Sequence, residues 1–172
     1  MATSAKAAPA FVVMGVSGCG KTTLANALAA RLGFEMIEGD SLHPSENVEK
    51  MRAGVPLDDS DRAPWLDRIG ELLRARGAAS QPVIVTCSAL KRAYRDRLRA
   101  ARPDLALVYL DGSRALIGAR VAARRHEYMP ASLLDSQFAA LEPPGKDEPA
   151  VVIDAALTPQ AQVQTAVDVL DL

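Results

Sequence analysis

Apolar residues along this chain fall into short unbroken runs, set between longer stretches in which they recur every three or four positions. Phe11-Val12-Val13-Met14, Val83-Ile84-Val85, Leu105 to Leu110 and Val151-Val152-Ile153 are the unbroken runs. Short runs without alternation predict strands buried on both faces. Phe34-Glu35-Met36-Ile37 predicts one more short strand, ending at Glu38-Gly39-Asp40. The stretches between them carry the helical period. Leu24, Leu28 and Leu32 repeat at i, i+4 and i+8, so a helix is predicted over Lys21 to Leu32, with Gly33 at the position after its C-cap. Each such leucine, once buried, contributes about 1.5–3 kcal/mol. Further helices are predicted over Ser45 to Ala53 (stopped by Gly54 and Pro56), Asp61 to Arg76 (Pro64 in its first turn, Gly77 at its end) and Ala89 to Ala101. Ser113 caps a helix reaching about Arg125, Ala131 to Leu141 follows, Glu142 to Pro149 is a loop, and Thr158 caps a last helix with Pro159 at its first position.

Strands that alternate with helices predict an α/β fold: a parallel sheet covered on both sides. Residues 1–9 are small and polar and read as a disordered tail, leaving 10–172 as a single domain, with no internal repeat. A chain of 172 residues can bury an adequate core without staples. Its 49% hydrophobic and 24% charged residues exclude disorder as a description of the whole. No apolar run approaches the ~18–20 residues that span a bilayer. The uncharged stretch Ala7 to Gly20 is interrupted by Pro9, Gly15 and Gly18 and is not read as a signal peptide.

Charge changes the picture little. A net charge of −1 argues against a nucleic-acid or other polyanion binder. Cys19 and Cys87 form no disulfide framework and no zinc spacing, which suits a reduced, cytoplasmic setting. Arginines outnumber lysines fifteen to five, and nine of the fifteen lie between Arg92 and Arg125. Arg97, Arg99 and Arg102 are expected on a solvated helix face.

The chemistry enters with Gly15-Val16-Ser17-Gly18-Cys19-Gly20-Lys21-Thr22, a match to G-x-x-x-x-G-K-[ST] lying between a predicted strand and a predicted amphipathic helix. Glycines let backbone N–H groups turn inward as an anion nest at a helix N-terminus. Gly15, Ser17, Gly18, Cys19, Gly20, Lys21, Thr22 and Thr23 are therefore the expected ATP-binding residues. Lys21 would reach the β- and γ-phosphates, and the Thr22 hydroxyl would ligate Mg²⁺. Cys19, in the variable part of the loop, is read as a small packed residue. The sequence has no guanine-reading N-K-x-D and no transporter-type L-S-G-G-Q string. Its third strand ends in Thr86-Cys87-Ser88 rather than in a metal-holding aspartate, while the fourth ends in Asp111, a minor candidate for that role. Asp40 is the stronger acid: it follows the second strand, and the carboxyl ends of parallel strands border the ligand crevice.

The strings Gly15–Thr22, Glu38-Gly39-Asp40-Ser41-Leu42-His43-Pro44, Cys87-Ser88-Ala89-Leu90-Lys91-Arg92 and Ser136-Gln137-Phe138 with Leu141-Glu142 resemble the gluconate kinase family. The resemblance runs over about residues 11 to 154. It implies a three-layer nucleoside-monophosphate-kinase-like P-loop fold, strand order 2-3-1-4-5, with a helical lid over roughly 120–145. It also implies ATP and Mg²⁺, the phosphorylation of D-gluconate to 6-phosphogluconate, and a tendency to dimerise. One departure is His126-Glu127-Tyr128, where many members carry an aromatic residue directly after the histidine.

Within that frame Lys21, Asp40 and Arg124 are the expected catalytic residues, and Arg120, four before Arg124, is expected to join it in a lid pair that clamps ATP. Asp40, His43, Arg52, Lys91 and Arg92 are expected around the acceptor. Arg52 would grip a carboxylate, and Arg62 is expected to pair with Asp58, Asp59 or Asp61. His43 either bonds an acceptor hydroxyl or positions Asp40. Arg95 is grouped with Lys91 and Arg92, and Trp65 is expected in the core. The rival readings are a sister kinase, such as one for shikimate, and a nucleotide-binding switch with little turnover.

Overall fold

Val12, Val13 and Met14 are wholly buried because helices cover both faces of the sheet they occupy. The protein is described here from a computed structural model, over residues 8–124 and 130–172. Five parallel strands lie in the order β2-β3-β1-β4-β5: β1 Ala10–Met14, β2 Glu35–Glu38, β3 Val83–Thr86, β4 Ala106–Asp111 and β5 Ala150–Asp154. The helices are α1 Lys21–Leu32, α2 Ser45–Arg52, α3 Asp59–Ala78, α4 Arg92–Ala101, α5 Arg114–Ala123, α6 Ala131–Ala140 and α7 Pro159–Leu170. One core joins Phe11, Val13, Val108 and Ile153 to α1, α5, α6 and α7, and the other joins Val12, Met14, Val85 and Tyr109 to α3 and α4. This is the three-layer arrangement expected, with the expected strand order.

The departures have local causes. Helix α3 begins earlier than Asp61, because Asp58 and Asp61 form a reciprocal capping box at its N-terminus. It also continues through Gly77, which was expected to end it. Gly77 is needed there because a Cβ would collide with the Arg102 guanidinium. Helix α4 starts at Arg92 rather than Ala89. Ala89 lies at φ +44°, a left-handed conformation that no α-helix accommodates. At the N-terminus the Ala8 carbonyl accepts from Arg102 and the Pro9 carbonyl accepts from Val83 N at 3.1 Å, so these two residues of the expected tail are tied down.

Candidate active site

The Gly15–Thr22 loop leaves β1 and enters α1 through backbone that only glycine adopts cheaply, with φ +83° at Gly18 and +103° at Gly20. No side chain caps α1, so its first N–H groups form the anion-binding end that the motif requires. Lys21 Nζ lies folded along the loop, donating to the Gly15 carbonyl at 3.1 Å and the Val16 carbonyl at 3.0 Å. Cys19 is fully buried, as a packed residue should be. A Cβ at Gly18 would collide with Val121 of α5, so the loop and α5 are in direct contact. Helix α6 reaches the loop as well: Ser17 N–H donates to Gln137 Oε1 at 2.7 Å.

Glu38 carries the carboxylate that the motif reading missed. Its Oε2 accepts from Thr22 Oγ1 at 2.6 Å, and its Oε1 accepts from Thr86 Oγ1. Thr86 Oγ1 in turn accepts from Gly39 N–H at 3.1 Å. The threonine at the end of β3 thus holds a carboxylate lent by β2. Thr22 and Glu38 together offer hard oxygen donors, which is the donor chemistry Mg²⁺ takes. Asp111 plays no part in this network. Its carbonyl accepts from Ala155 N–H at 2.8 Å, and its side chain lines a separate hollow of about 580 Å³ with Gly112, Ser113, Leu116, Val152, Asp154 and Ala156.

Asp40 stands in a single 3-10 turn, Gly39–Leu42, that follows β2 directly. Its side chain is 70% exposed, and the turn places it at the carboxyl end of β2. The turn is seated from below. A Cβ on Gly39 would land on the Thr86 carbonyl oxygen, and Trp65 Nε1 donates to the Gly39 carbonyl at 2.8 Å. Trp65 is core, as expected, yet it also carries the His43 ring, stacked at 4.0 Å between centroids. Asn47 Nδ2 donates to the Asp61 carbonyl at 2.8 Å and lies 3.2 Å from His43 Nδ1. That bond makes Nδ1 the acceptor and leaves the proton on Nε2, the nitrogen facing Asp40 at 3.9 Å. Burial, aided by the Arg62 charge, pulls the His43 pKa down to about 4, so the ring is neutral and its approach to Asp40 is not an ion pair.

The arginines sort differently from expectation. Asp58 caps α3, Asp59 accepts from Lys91 at 2.8 Å and from Tyr94, and Asp61 accepts from Lys50 at 2.7 Å. Arg62 pairs with none of them. It is buried, donates to the Leu57 carbonyl at 3.4 Å and lies 5.6 Å from the Tyr94 ring centroid. Arg52 is exposed at the end of α2. Lys91 is engaged with Asp59, and Arg92 with Asp147, while Arg92 N–H donates to Glu142 at 2.8 Å.

Arg95 does not face the acceptor side at all. It is fully buried, bound through two nitrogens to Glu148 at 2.7 and 2.8 Å, and donates to the Ala89 and Leu90 carbonyls. Arg99 shares Glu148, and Arg102 is buried against Leu73 and Asp104, so of the three arginines expected on a solvated face only Arg97, paired with Asp67, is there. Glu148, brought under α4 by the loop before β5, draws in Arg95 and Arg99, while Asp104 and the Leu73 and Ala8 carbonyls hold Arg102.

Arg120 lies in the last turn of α5, half-buried, but Arg124 is already beyond the helix, with φ −80° and ψ 117°. The predicted helix thus ends short of Arg125, with Arg124 as its capping residue. The expected lid span includes positions 125–129, which lie outside the described residues, and with them the His126-Glu127-Tyr128 departure.

One charge field links the main elements. The buried Cys87 thiol at the end of β3 is pushed up to about 12, chiefly by burial, and it also feels Asp40, Lys21 and Arg62.

The sequence matches the AAA domain family over residues 11–144. It is 48% identical over 154 residues to a gluconokinase of Gluconobacter oxydans, covering 90% of this chain and 86% of that protein. Among solved structures, a sugar kinase from Janibacter superposes with a TM-score of 0.91 at 44% identity, covering 95% of each chain. A gluconokinase from Sinorhizobium meliloti superposes with a TM-score of 0.87 at 45% identity, covering 97% of this chain and 94% of the other.

Proposed function

This chain belongs to the gluconokinase family, and from that premise we propose that it transfers the γ-phosphoryl group of ATP to gluconate, giving 6-phosphogluconate. The observation that carries the mechanism is the geometry of the phosphate loop, with Lys21 folded along the Gly15 and Val16 carbonyls, Thr22 bonded to Glu38, and Asp40 in the turn directly after Glu38. ATP phosphates lie on the N–H groups of Gly15 to Thr23, and Lys21 leaves the Gly15 and Val16 carbonyls for the β- and γ-oxygens, where charge builds in the transition state. Thr22 and Glu38 would hold Mg²⁺, which supplies charge neutralisation across the phosphates when bound. Asp40 accepts the proton of the C6 hydroxyl and orients it for in-line attack. His43, neutral with its proton on Nε2, offers a donor beside Asp40 for another acceptor oxygen.

For the carboxylate end of gluconate Arg62 is better placed than Arg52. It is buried, its field reaches His43, and its side chain's one hydrogen bond among the described residues is long at 3.4 Å. A carboxylate would satisfy that fork. Lys91 and Arg92 sit at the rim, where exchange of their present carboxylate partners costs little. Arg120 and Arg124 are assigned to the nucleotide side. The two buried free thiols suit a reducing, cytoplasmic compartment.

A coupled assay of ADP release, with and without gluconate, tests the reading. Release that depends on gluconate supports it. Equal or better turnover of shikimate would move the assignment to a sister kinase, and release with neither acceptor would leave only a nucleotide-binding switch.

A further inference from the structure

Ser17 N–H lies inside the phosphate nest, yet its partner comes from 120 residues away: the Gln137 side chain, at 2.7 Å. A backbone N–H can only donate, so the facing atom must be the amide oxygen. That assignment leaves Gln137 Nε2, with its two protons, next to the loop and without a partner among the described residues. The mount is firm. Leu134 is buried in the core on one side of Gln137 and Phe138 packs against the same core on the other. The chain just beyond α6 is held too, with Glu142 N–H donating to the Leu90 carbonyl at 2.8 Å and its carboxylate accepting from Arg92 N–H.

Resting on the kinase reading above, we propose that Gln137 is a further catalytic residue, a donor on α6 to the phosphoryl group being transferred. A phosphoryl oxygen is charged, and hydrogen bonds to a charged acceptor are roughly twice as strong as those to a neutral amide. It therefore displaces Oε1 from Ser17 N–H. The displaced amide then has lone pairs facing lone pairs. Its terminal torsion is broad and roughly two-fold, so turning it over is easy, and Nε2 then faces the phosphoryl oxygen that has taken the place of Oε1 at Ser17 N–H. Gln137 thus passes from accepting a loop N–H to donating to the phosphoryl oxygen, and α6 comes to register that a phosphoryl group is present. Side chains on a packed helix place such a donor more precisely than a loop would.

Gln137→Glu keeps the acceptor and removes the donor; Gln137→Ala removes both. The two are compared with wild type for melting temperature of the free protein, for affinity toward ADP and toward a non-hydrolysable ATP analogue without acceptor, and for kcat with gluconate. Gln137→Glu is expected to keep the wild-type melting temperature and ADP affinity. Its preference for the analogue over ADP should fall about tenfold or more, and kcat should drop by ~10²-fold, the scale for losing one transition-state donor. Gln137→Ala should lose kcat by at least about tenfold with unchanged KM for gluconate. A Gln137→Glu variant with wild-type kcat and an unchanged analogue-to-ADP ratio overturns the proposal, as does a Gln137→Ala variant that loses only thermal stability. Equal weakening of ADP and analogue would place the contact on the β-phosphate and overturn it likewise. The binding ratios need no acceptor. Wild-type protein that binds nucleotide but ignores gluconate would therefore defeat the gluconate reading while these ratios still decide on Gln137.

Discussion

Thr22 Oγ1 donates to Glu38 Oε2 at 2.6 Å, joining the first turn of α1 to the last residue of β2. On the proposed reading the Thr22 hydroxyl would ligate Mg²⁺, so the carboxylate it touches would stand beside the metal. Glu38 can serve either as a ligand itself or through a water, and both roles need its charge.

Glu38→Gln keeps the shape and removes that charge; one threonine hydroxyl still donates to the amide oxygen and the other turns to accept from the amide nitrogen. The expected result is a rise of about 10- to 100-fold in the Mg²⁺ concentration for half-maximal activity, the usual scale for a lost metal-shell partner. Titration of activity with Mg²⁺ at saturating ATP checks it. An unchanged Mg²⁺ requirement would remove Glu38 from the metal site.

Asp40→Asn should cost ~10²–10⁴-fold in kcat with little change in ATP affinity, the range for a positioned acid–base group. Asp111→Asn should be mild, since Asp111 lines a separate hollow and makes no contact with Thr22 or Lys21 among the described residues. A reversal of the two, read by steady-state kinetics, would transfer the role to Asp111. Gly39→Ala is expected to match Asp40→Asn in lost turnover and to lower the melting temperature as well, because its Cβ meets the Thr86 backbone oxygen and the turn must shift.

The loop, the sheet class and Asp40 were legible because each is written locally. A glycine pattern, an apolar run and an acid after a strand need no knowledge of what lies across the sheet. Glu38 was not, since its meaning depends on β2 lying beside β3, which brings it to Thr86 in register. Arg62 and Arg95 were misread for the same reason. Among fifteen arginines nothing local marks the three that turn inward, Arg62, Arg95 and Arg102, and the carboxylate that draws Arg95 in lies 53 residues away. Gly77 and Ala89 inverted their local signals. One glycine stays helical because Arg102 needs the space, and one alanine takes a left-handed turn with its carbonyl held by Arg95.

Arg62→Ala should raise KM for gluconate by ~10²-fold while leaving KM for ATP near wild type, and should narrow the preference for gluconate over glucose. On the proposed placement glucose would leave the buried fork without a carboxylate, and removing the fork removes that penalty. Arg52→Ala, at an exposed helix end, should change KM by less than about threefold. If Arg52→Ala has the larger effect on gluconate KM, the carboxylate belongs to Arg52.

Acid should destabilise the protein in two separable windows. His43 has a folded pKa of about 4, below its ordinary 6.5, so the unfolded chain takes up the proton first. Its contribution is complete above pH 6.5 and is lost as pH falls toward 4, roughly 3 kcal/mol in all. Glu148, held at about 2 by its bonds to Arg95, also has a folded pKa below its ordinary 4.5. Its contribution is complete above pH 4.5 and is lost as pH falls toward 2, again roughly 3 kcal/mol. Denaturant melts at a series of pH values should therefore show stability falling from pH 6.5, with the decline continuing below pH 4. His43→Asn should flatten the upper part and leave the lower. Glu148→Gln should flatten the lower part, and it should lower stability by roughly 3–5 kcal/mol at neutral pH, because it leaves Arg95 charged and buried without its partner. A Glu148→Gln variant that retains the wild-type slope below pH 4.5 would show that this ion pair is not what acid breaks.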